Sequence, residues 1–505
     1  VNDYLDNLQA YRRLTEDEVN KVWDACSRLQ NLNNYSLIAL ELAATVTEEH
    51  VSEVFVRINS QGTPLNQANF ILTLMSVYGE GLRVELEAFC RSARTPSSDK
   101  PSPFNHHIKP DPDQLLRVSV GLAFKRARLQ HVYSILRGKD LETEEYSEER
   151  RDQQFELLRQ AQAKVLDLLH WHDFLAAIRQ SGVRSSKMIS SYNNLLYTYV
   201  FYLIGRTEYG VEEFALRKAI AQWFFMSALT GRYTDSPESA MEFDLARLRG
   251  VGDAAGFLNT LSLVCEQSLT SDYWTITLPN ELATSSSRSP SLFAYHAALI
   301  LLDARALFSN QKVVDLLDPA IHPVRGGVER HHLFPRAYLQ RLGFKEARDR
   351  NQIANYAWVE WGDNASIADK SPAEYIGAMA KRFHRDDLER QYYWHALPAD
   401  WTTLDYREFL VQRRELIAQV IRDGYRRLAE GPRTKEELED LPLEALVQRG
   451  ETDYVEFKQT LRVNVHTGQI DSRMEHSCLK TIAGFLNSSG GKLIIGVADD
   501  GQPVG

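Results

Sequence analysis

The chain has 505 residues, of which 44 % are hydrophobic and 25 % charged, an ordinary globular balance with room for about three domains at roughly 150 residues each. A net charge of −10 argues against a surface coated in positive charge but leaves local basic patches open as nucleic-acid contacts. Cys26, Cys90, Cys265 and Cys478 are far apart and form no CxxC, which argues against a disulfide framework or zinc knuckle and for a reducing cytoplasm; no signal peptide is visible, and the longest apolar stretch, Leu195 to Ile204, is too short to span a membrane.

Residues 1–92 read as helices with one notable loop. Val54-Phe55-Val56-Arg57-Ile58-Asn59 runs into Ser60-Gln61-Gly62-Thr63-Pro64-Leu65, punctuated by Gly62 and Pro64, and an amphipathic helix is predicted from Asn66 to Tyr78. Residues 93–113 form a polar, Pro-rich loop. Residues 114–310 carry long helical patterns broken at Gly182 and between Gly250 and Gly256. Their Arg-rich stretches, Lys125-Arg126-Ala127-Arg128 and Arg150-Arg151, read as solvated helix faces. A Ser-rich loop spans 280–290, and residues 320–400, inside a domain expected over 315–430, are mixed. A charged linker at 431–442 precedes a separate α/β unit at 444–505. Val1 stands where a Met would be expected, and the chain stops just after a strand-like run, so both ends read as cut.

The chemistry concentrates in the mixed region. Glu329-Arg330-His331-His332-Leu333-Phe334-Pro335 reads as a strand, and Arg336 to Leu342 as a turn or short helix. Asn355-Tyr356-Ala357-Trp358-Val359 reads as a second strand, which Gly362-Asp363-Asn364 breaks. Ser371-Pro372-Ala373-Glu374 is a capping box with Pro at the first helical position. On a strand, neighbouring side chains point to opposite faces, so His331 and His332 can do different work. From Val324 to Arg350 seven Arg/Lys oppose three Asp/Glu, a local +4 around the histidines.

His331-His332, Asn355 and Asn364 resemble the HNH endonuclease signature. The segment from His331 to Pro372 is more closely similar to the C-terminal HNH domain of GmrSD-like restriction proteins, through His332-Leu333-Phe334-Pro335, Asn355-Tyr356, Asn364, Ile367 and Lys370-Ser371-Pro372. The resemblance implies a ββα-metal nuclease centre that cleaves DNA in restriction or phage defence. It makes His332 the general base, since a neutral imidazole with a pKa of about 6.5 can take a water's proton at neutral pH. It makes His331 and Asn364 ligands of a divalent metal, Mg2+ or Mn2+, with Asp363 as a substitute for Asn364. Asn355 would hold the loop carrying His332 by side-chain-to-backbone hydrogen bonds. Arg330, Arg336 and Lys370 would contact substrate phosphates.

Two further segments carry resemblances. Val54 to Leu65 is similar to the end of the ParB-like NTPase domain of the same proteins, which implies an NTP for the full-length protein. The Asp-Gly-Gln-Gln-Arg motif of that domain is absent, so no NTPase residue is carried over; Arg57, Asn59 and Gly62 are candidates to sit near a nucleotide, the alternative being that Gly62 makes a turn and Arg57 pairs with an acid. Glu451-Thr-Asp-Tyr-Val-Glu456-Phe457-Lys458, Asn487-Ser-Ser-Gly490-Gly491 and Ile495-Gly496-Val497 look like the first part of a Schlafen AlbA-type domain. That implies nucleic-acid binding, RNA included, and a carboxylate cluster of Glu451 and Glu456 with Asp499 or Asp500, Lys458 meeting a phosphate. The alternative on the residues alone is a structural Glu456–Lys458 ion pair on one strand face. The expected architecture is α+β, mostly helical, with a ββα centre and a C-terminal α/β unit. The expected partners are DNA, RNA through the tail, and a second copy of the chain. The competing functions are a non-catalytic nucleic-acid-binding sensor and an RNase acting through Glu451 and Glu456.

Overall fold

The computed structural model describes residues 2–12, 14–34, 67–97, 99–140, 145–319, 329–359, 370–430, 443–451, 455–465, 467–486, 490–498 and 501–504, with the single positions 41, 43 and 143. It divides into two units, Val1–Leu65 and Asn66–Gly505. In the first, Thr15 and Glu18 form a reciprocal capping box that starts the helix Glu16–Asn31. The segment 51–66, with Arg57, Asn59 and Gly62, lies outside the described residues.

The second unit is built on helices. Tyr192–Thr207 is buried on every side from Asn194 to Gly205, as an apolar helix at the centre of a large core must be. It packs against Pro112–Phe124 and Glu213–Leu229, and the latter also touches Leu168–Gln180. Gly182 follows Leu168–Gln180 at φ 87°, so the break expected there falls at a helix end. Pro290–Leu301 lies along the 25-residue helix Tyr406–Glu430. Their crossing is tight: a Cβ on Gly424 would sit 2.6 Å from the Ala298 Cβ, so only glycine permits this approach. Among the described residues no helix is long and apolar enough to cross a membrane.

The Arg-rich stretches differ from the expectation of solvated faces. Lys125 meets Glu208 at 2.6 Å, Arg126 meets Glu242 at 2.5 Å, and the Ala127 N–H donates to Glu242 at 2.7 Å. Arg150 pairs with Asp140, and Arg151 lies 4.3 Å from the centre of the Tyr78 ring. Local charge patterning missed this because Glu208 and Glu242 lie 83 and 116 positions away from their cations.

Among the described residues, four short strands form two pairs. β1 (Glu329–His332) and β2 (Tyr356–Val359) run antiparallel, with His332 opposite Tyr356 and His331 opposite Ala357. Leu307 N–H donates to Trp358 O at 2.9 Å and covers the other edge of β2. β3 (Val455–Lys458) and β4 (Lys492–Ile495) run parallel, joined through the helix Ser472–Leu486. This is a βαβ arrangement, as a parallel pair requires a long crossover. Val455, Phe457, Ile494 and Val497 form its core with Leu446 and Phe214, the last from the helical body. The Gly-Gly motif has a steric reason here: Gly490 adopts φ 87°, and a Cβ on Gly491 would lie 2.5 Å from the Phe485 ring.

Two buried histidines make stability depend on pH. Burial pushes His107 down to about 4, with Arg179 and Arg184 nearby adding to the effect, and Nε2 donates to Val183 O at 3.2 Å. Burial likewise pushes His395 down to about 4, with Arg413 beside it, and Nε2 donates to Arg305 O at 2.9 Å. Unfolded imidazoles titrate near 6.5. Between about 6.5 and about 4 the unfolded chain therefore binds protons that the folded one refuses. Stability from this source is complete above that window and falls as pH drops through it, by roughly 3 kcal/mol per group at the lower end. Urea unfolding at about pH 7.5 and about pH 5 should show a lower midpoint in acid, with the slope reduced in His107→Gln and His395→Gln. An acid slope identical in both variants and the wild type would remove these two groups as its cause.

Candidate functional site

The site is a strand end braced by a loop. β1 places His331 and His332 on opposite faces: the His331 ring is buried and meets the Tyr375 ring edge-on at 6.4 Å, whereas His332 is half-buried over the Tyr356 ring at 4.4 Å. Beyond His332 the chain continues the pairing, as Leu333 N–H donates to Asn355 O at 2.8 Å. Phe334 then turns inward against Phe409 and Tyr406, with ring centres at 4.7 and 5.3 Å. Pro335 opens the short helix Arg336–Arg341 expected at this point.

Asn355 is fully buried, and both ends of its amide are used. Oδ1 accepts from Phe334 N–H at 2.9 Å, and Nδ2 donates to Phe334 O at 3.1 Å and Arg350 O at 3.0 Å. One side chain thus staples the strand end to the loop before β2. Asn355→Asp would turn a carboxylate oxygen toward two carbonyl oxygens. We expect a loss of roughly 2–4 kcal/mol, read by thermal unfolding; an unchanged midpoint would show that the staple carries no load.

The rest of the brace comes from far along the chain. Arg413, on Tyr406–Glu430, is fully buried and donates to Ala354 O at 2.5 Å, Tyr356 O at 2.7 Å and His395 O at 3.1 and 3.0 Å. Burial lowers its pKa while the Tyr295, Tyr375 and Tyr406 phenols oppose that shift. Tyr375, on Pro372–Ala380, donates its OH to Leu333 O at 2.7 Å, and burial raises its pKa well above the ordinary tyrosine value. The capping box of Ser371 and Glu374 with Pro372 at the first turn is present as expected.

On the half-buried face, His332 Nε2 lies 3.0 Å from Asn351 Oδ1, and Arg336 Nε lies 3.4 Å from the same ring nitrogen. Arg336 and Lys370 are exposed. The Arg330 side chain, Asp363 and Asn364 lie outside the described residues. Among the described residues no group of three or more His, Cys, Asp or Glu forms a metal cluster. The described donor that suits a divalent ion at this site is the His331 imidazole, one ligand of the expected pair.

The sequence passes over Asn351, Tyr375 and Arg413. Asn351 stands four positions before Asn355, which is its only local signal. Tyr375 and Arg413 carry none, because the partner of Tyr375 is 42 residues away and those of Arg413 are 18, 57 and 59 residues away.

In the C-terminal unit the expected carboxylates face separate tasks. Glu451 Oε1 accepts from Phe457 N–H at 2.9 Å, on the main chain of β3. Glu456 and Lys458 share the outer face of β3 and pair at 2.6 Å, the arrangement of a structural ion pair. Asp499 and Asp500 lie outside the described residues.

Residues 451–505 match the family model described as Schlafen, AlbA_2. No curated protein and no solved structure matches the chain.

Proposed function

We propose that this chain is a metal-dependent endonuclease of the HNH type that hydrolyses DNA phosphodiester bonds, in restriction or defence against phage. The observation that carries the reading is the Asn355 staple, which fixes a two-histidine strand end against the loop before its partner strand. Such a strand end presents one imidazole to solvent and keeps the other inside, the division of labour that hydrolysis needs. His332 takes a proton from the attacking water. His331, with Asn364 or Asp363, would hold a divalent ion, Mg2+ or Mn2+. Such an ion supplies charge stabilisation to the leaving oxygen when bound. Arg336, Arg330 and Lys370 supply positive charge for the phosphates.

The match to Schlafen, AlbA_2 favours a second reading, in which the tail binds nucleic acid without cutting it. RNA cleavage through Glu451 and Glu456 has less support, since one carboxylate caps the β3 main chain and the other pairs with Lys458. Supercoiled plasmid and labelled RNA, each incubated with Mg2+ or Mn2+ and with EDTA, separate the three. The nuclease reading expects metal-dependent nicking of the plasmid that is lost in His332→Ala. Binding without cleavage leaves the sensor reading, and cleavage of RNA alone with dependence on Glu456 leaves the third.

A further inference from the structure

Many cations of the helical body are matched by carboxylates. Arg117 pairs with Glu238 at 2.5 Å, Lys125 with Glu208 at 2.6 Å, Arg126 with Glu242 at 2.5 Å and Arg217 with Glu213 at 2.7 Å. One stretch differs. Between Asp173 and Glu208 the chain has no acidic residue, yet it carries Arg179, Arg184 and Lys187. The facing segment from Pro101 to Pro110 also lacks acids and carries His106, His107 and Lys109. Arg179 and Lys187 are exposed, and among the described residues neither forms an ion pair. In a chain of net charge −10, such a patch stands out from the field around it.

The two segments are tied together. Ser186 N–H donates to His106 O at 2.8 Å, and the buried His107 Nε2 donates to Val183 O at 3.2 Å. Gly182 turns at φ 87°, where a Cβ would lie 2.5 Å from Ala297 O. Lys187 rides on the single turn Ser186–Met188. The Arg179 and Arg184 charges both act on the His107 ring, which places them on one surface. Arg179 also stands in the last turn of Leu168–Gln180, where a cation suits the helix dipole, and Arg184 Nη1 donates to Arg179 O at 3.3 Å. Those local roles leave the exposed Lys187 unexplained.

The patch is close to the strand pair. Gly182 rests on the main chain of Ala297, and the neighbouring His296 ring lies 4.9 Å from the Trp358 ring of β2. The basic loop and β2 thus lean on one turn of the helix Pro290–Leu301. A helix is about 10–12 Å across. One turn of a DNA duplex is about 34 Å long, so a single duplex is long enough to reach both.

We propose that Arg179 and Lys187 form a phosphate-contact surface on the helical body that holds duplex DNA beside the histidine strand. This deepens the endonuclease reading and takes the choice of DNA from it. A cation paired with a carboxylate must break that pair before it meets a phosphate, whereas these two need not. Contacts of this kind displace counterions from the duplex and carry no sequence information, so they position DNA of any sequence.

The test is the fluorescence anisotropy of a labelled duplex of about three helical turns, titrated with the full chain in EDTA so that nothing is cut. Each contact adds a slope of about 0.9 to log K against log salt. Arg179→Ala with Lys187→Ala should therefore lower the slope by about 2 and weaken binding by roughly 10- to 60-fold at about 0.1 M salt. Arg179→Lys with Lys187→Arg keeps both charges and should bind within about threefold of the wild type. Lys21→Ala with Arg83→Ala removes the same charge from cations paired with Asp17 and Glu87, and should also stay within about threefold. All three should unfold near the wild-type temperature. An unchanged slope in the first pair, an equal loss in the last pair, or a wild type that binds no duplex overturns the surface. Plasmid nicking with Mg2+ or Mn2+ runs alongside. If the wild type nicks while the first pair binds as tightly as it does, only the surface falls. If the first pair loses binding as expected but the wild type cuts nothing, the surface stands and the nuclease reading falls.

Discussion

Replacing His332 with alanine is expected to cut the turnover of plasmid nicking by roughly a hundred- to ten-thousand-fold while DNA affinity stays within about threefold. The size follows from the role. A positioned base contributes through proton transfer in the transition state, an interaction that the bound ground state does not share. The substitution is structurally mild, because the ring is half-buried and its packing is against Tyr356 and the Asn351 amide rather than inside the core. A fall in kcat accompanied by a lowered unfolding temperature would point to collapse of the strand end instead. Turnover equal to the wild type would remove His332 from the chemistry altogether.

The second large effect is expected at Arg413, where Arg413→Met should cost about 3–5 kcal/mol of stability. The guanidinium serves three carbonyls, those of Ala354, Tyr356 and His395, and each would be left buried without its donor. An unsatisfied buried carbonyl costs about 1–3 kcal/mol. Against that stands the relief of no longer burying a positive charge, which the lowered pKa of Arg413 reflects. Lysine at this position should not rescue, since a single ammonium lacks the planar fork that reaches several acceptors. Urea unfolding measures the loss. Arg413→Met as stable as the wild type would show that the carbonyls find other donors. Because Ala354 and Tyr356 flank Asn355, weaker cleavage should accompany the lost stability.

Much of this arrangement was legible in the sequence, for local reasons. The stop at Pro335 bounded β1, the aromatic and β-branched residues of 355–359 placed β2, and Ser371-Pro372-Ala373-Glu374 placed the start of a helix. The side-chain-to-backbone bonds of Asn355 were an expectation of the HNH resemblance alone; on its own this asparagine reads as a turn residue. What stayed hidden depends on long-range pairing. Arg413 sits in a helix rich in charged residues and reads as one more solvated cation, yet it is fully buried. The cations at 125–128 read as a water-facing patch until Glu208 and Glu242 fold back onto them. Glu456 and Lys458 were readable either way, because two residues apart on a strand is the right spacing both for a phosphate contact and for an ion pair.

The helix Tyr406–Glu430 is about 37 Å long at the usual rise per residue. Near its start it grips the loop behind β2 through Arg413, and roughly three turns later Gly424 is wedged against Ala298. Its middle, at Ile417, Val420 and Ile421, is sealed in the common core. The histidine strand is therefore not a removable cassette bolted to a scaffold. It shares a girder with the scaffold, and any slip of that girder along its axis would be felt as a change of aim at the two imidazoles.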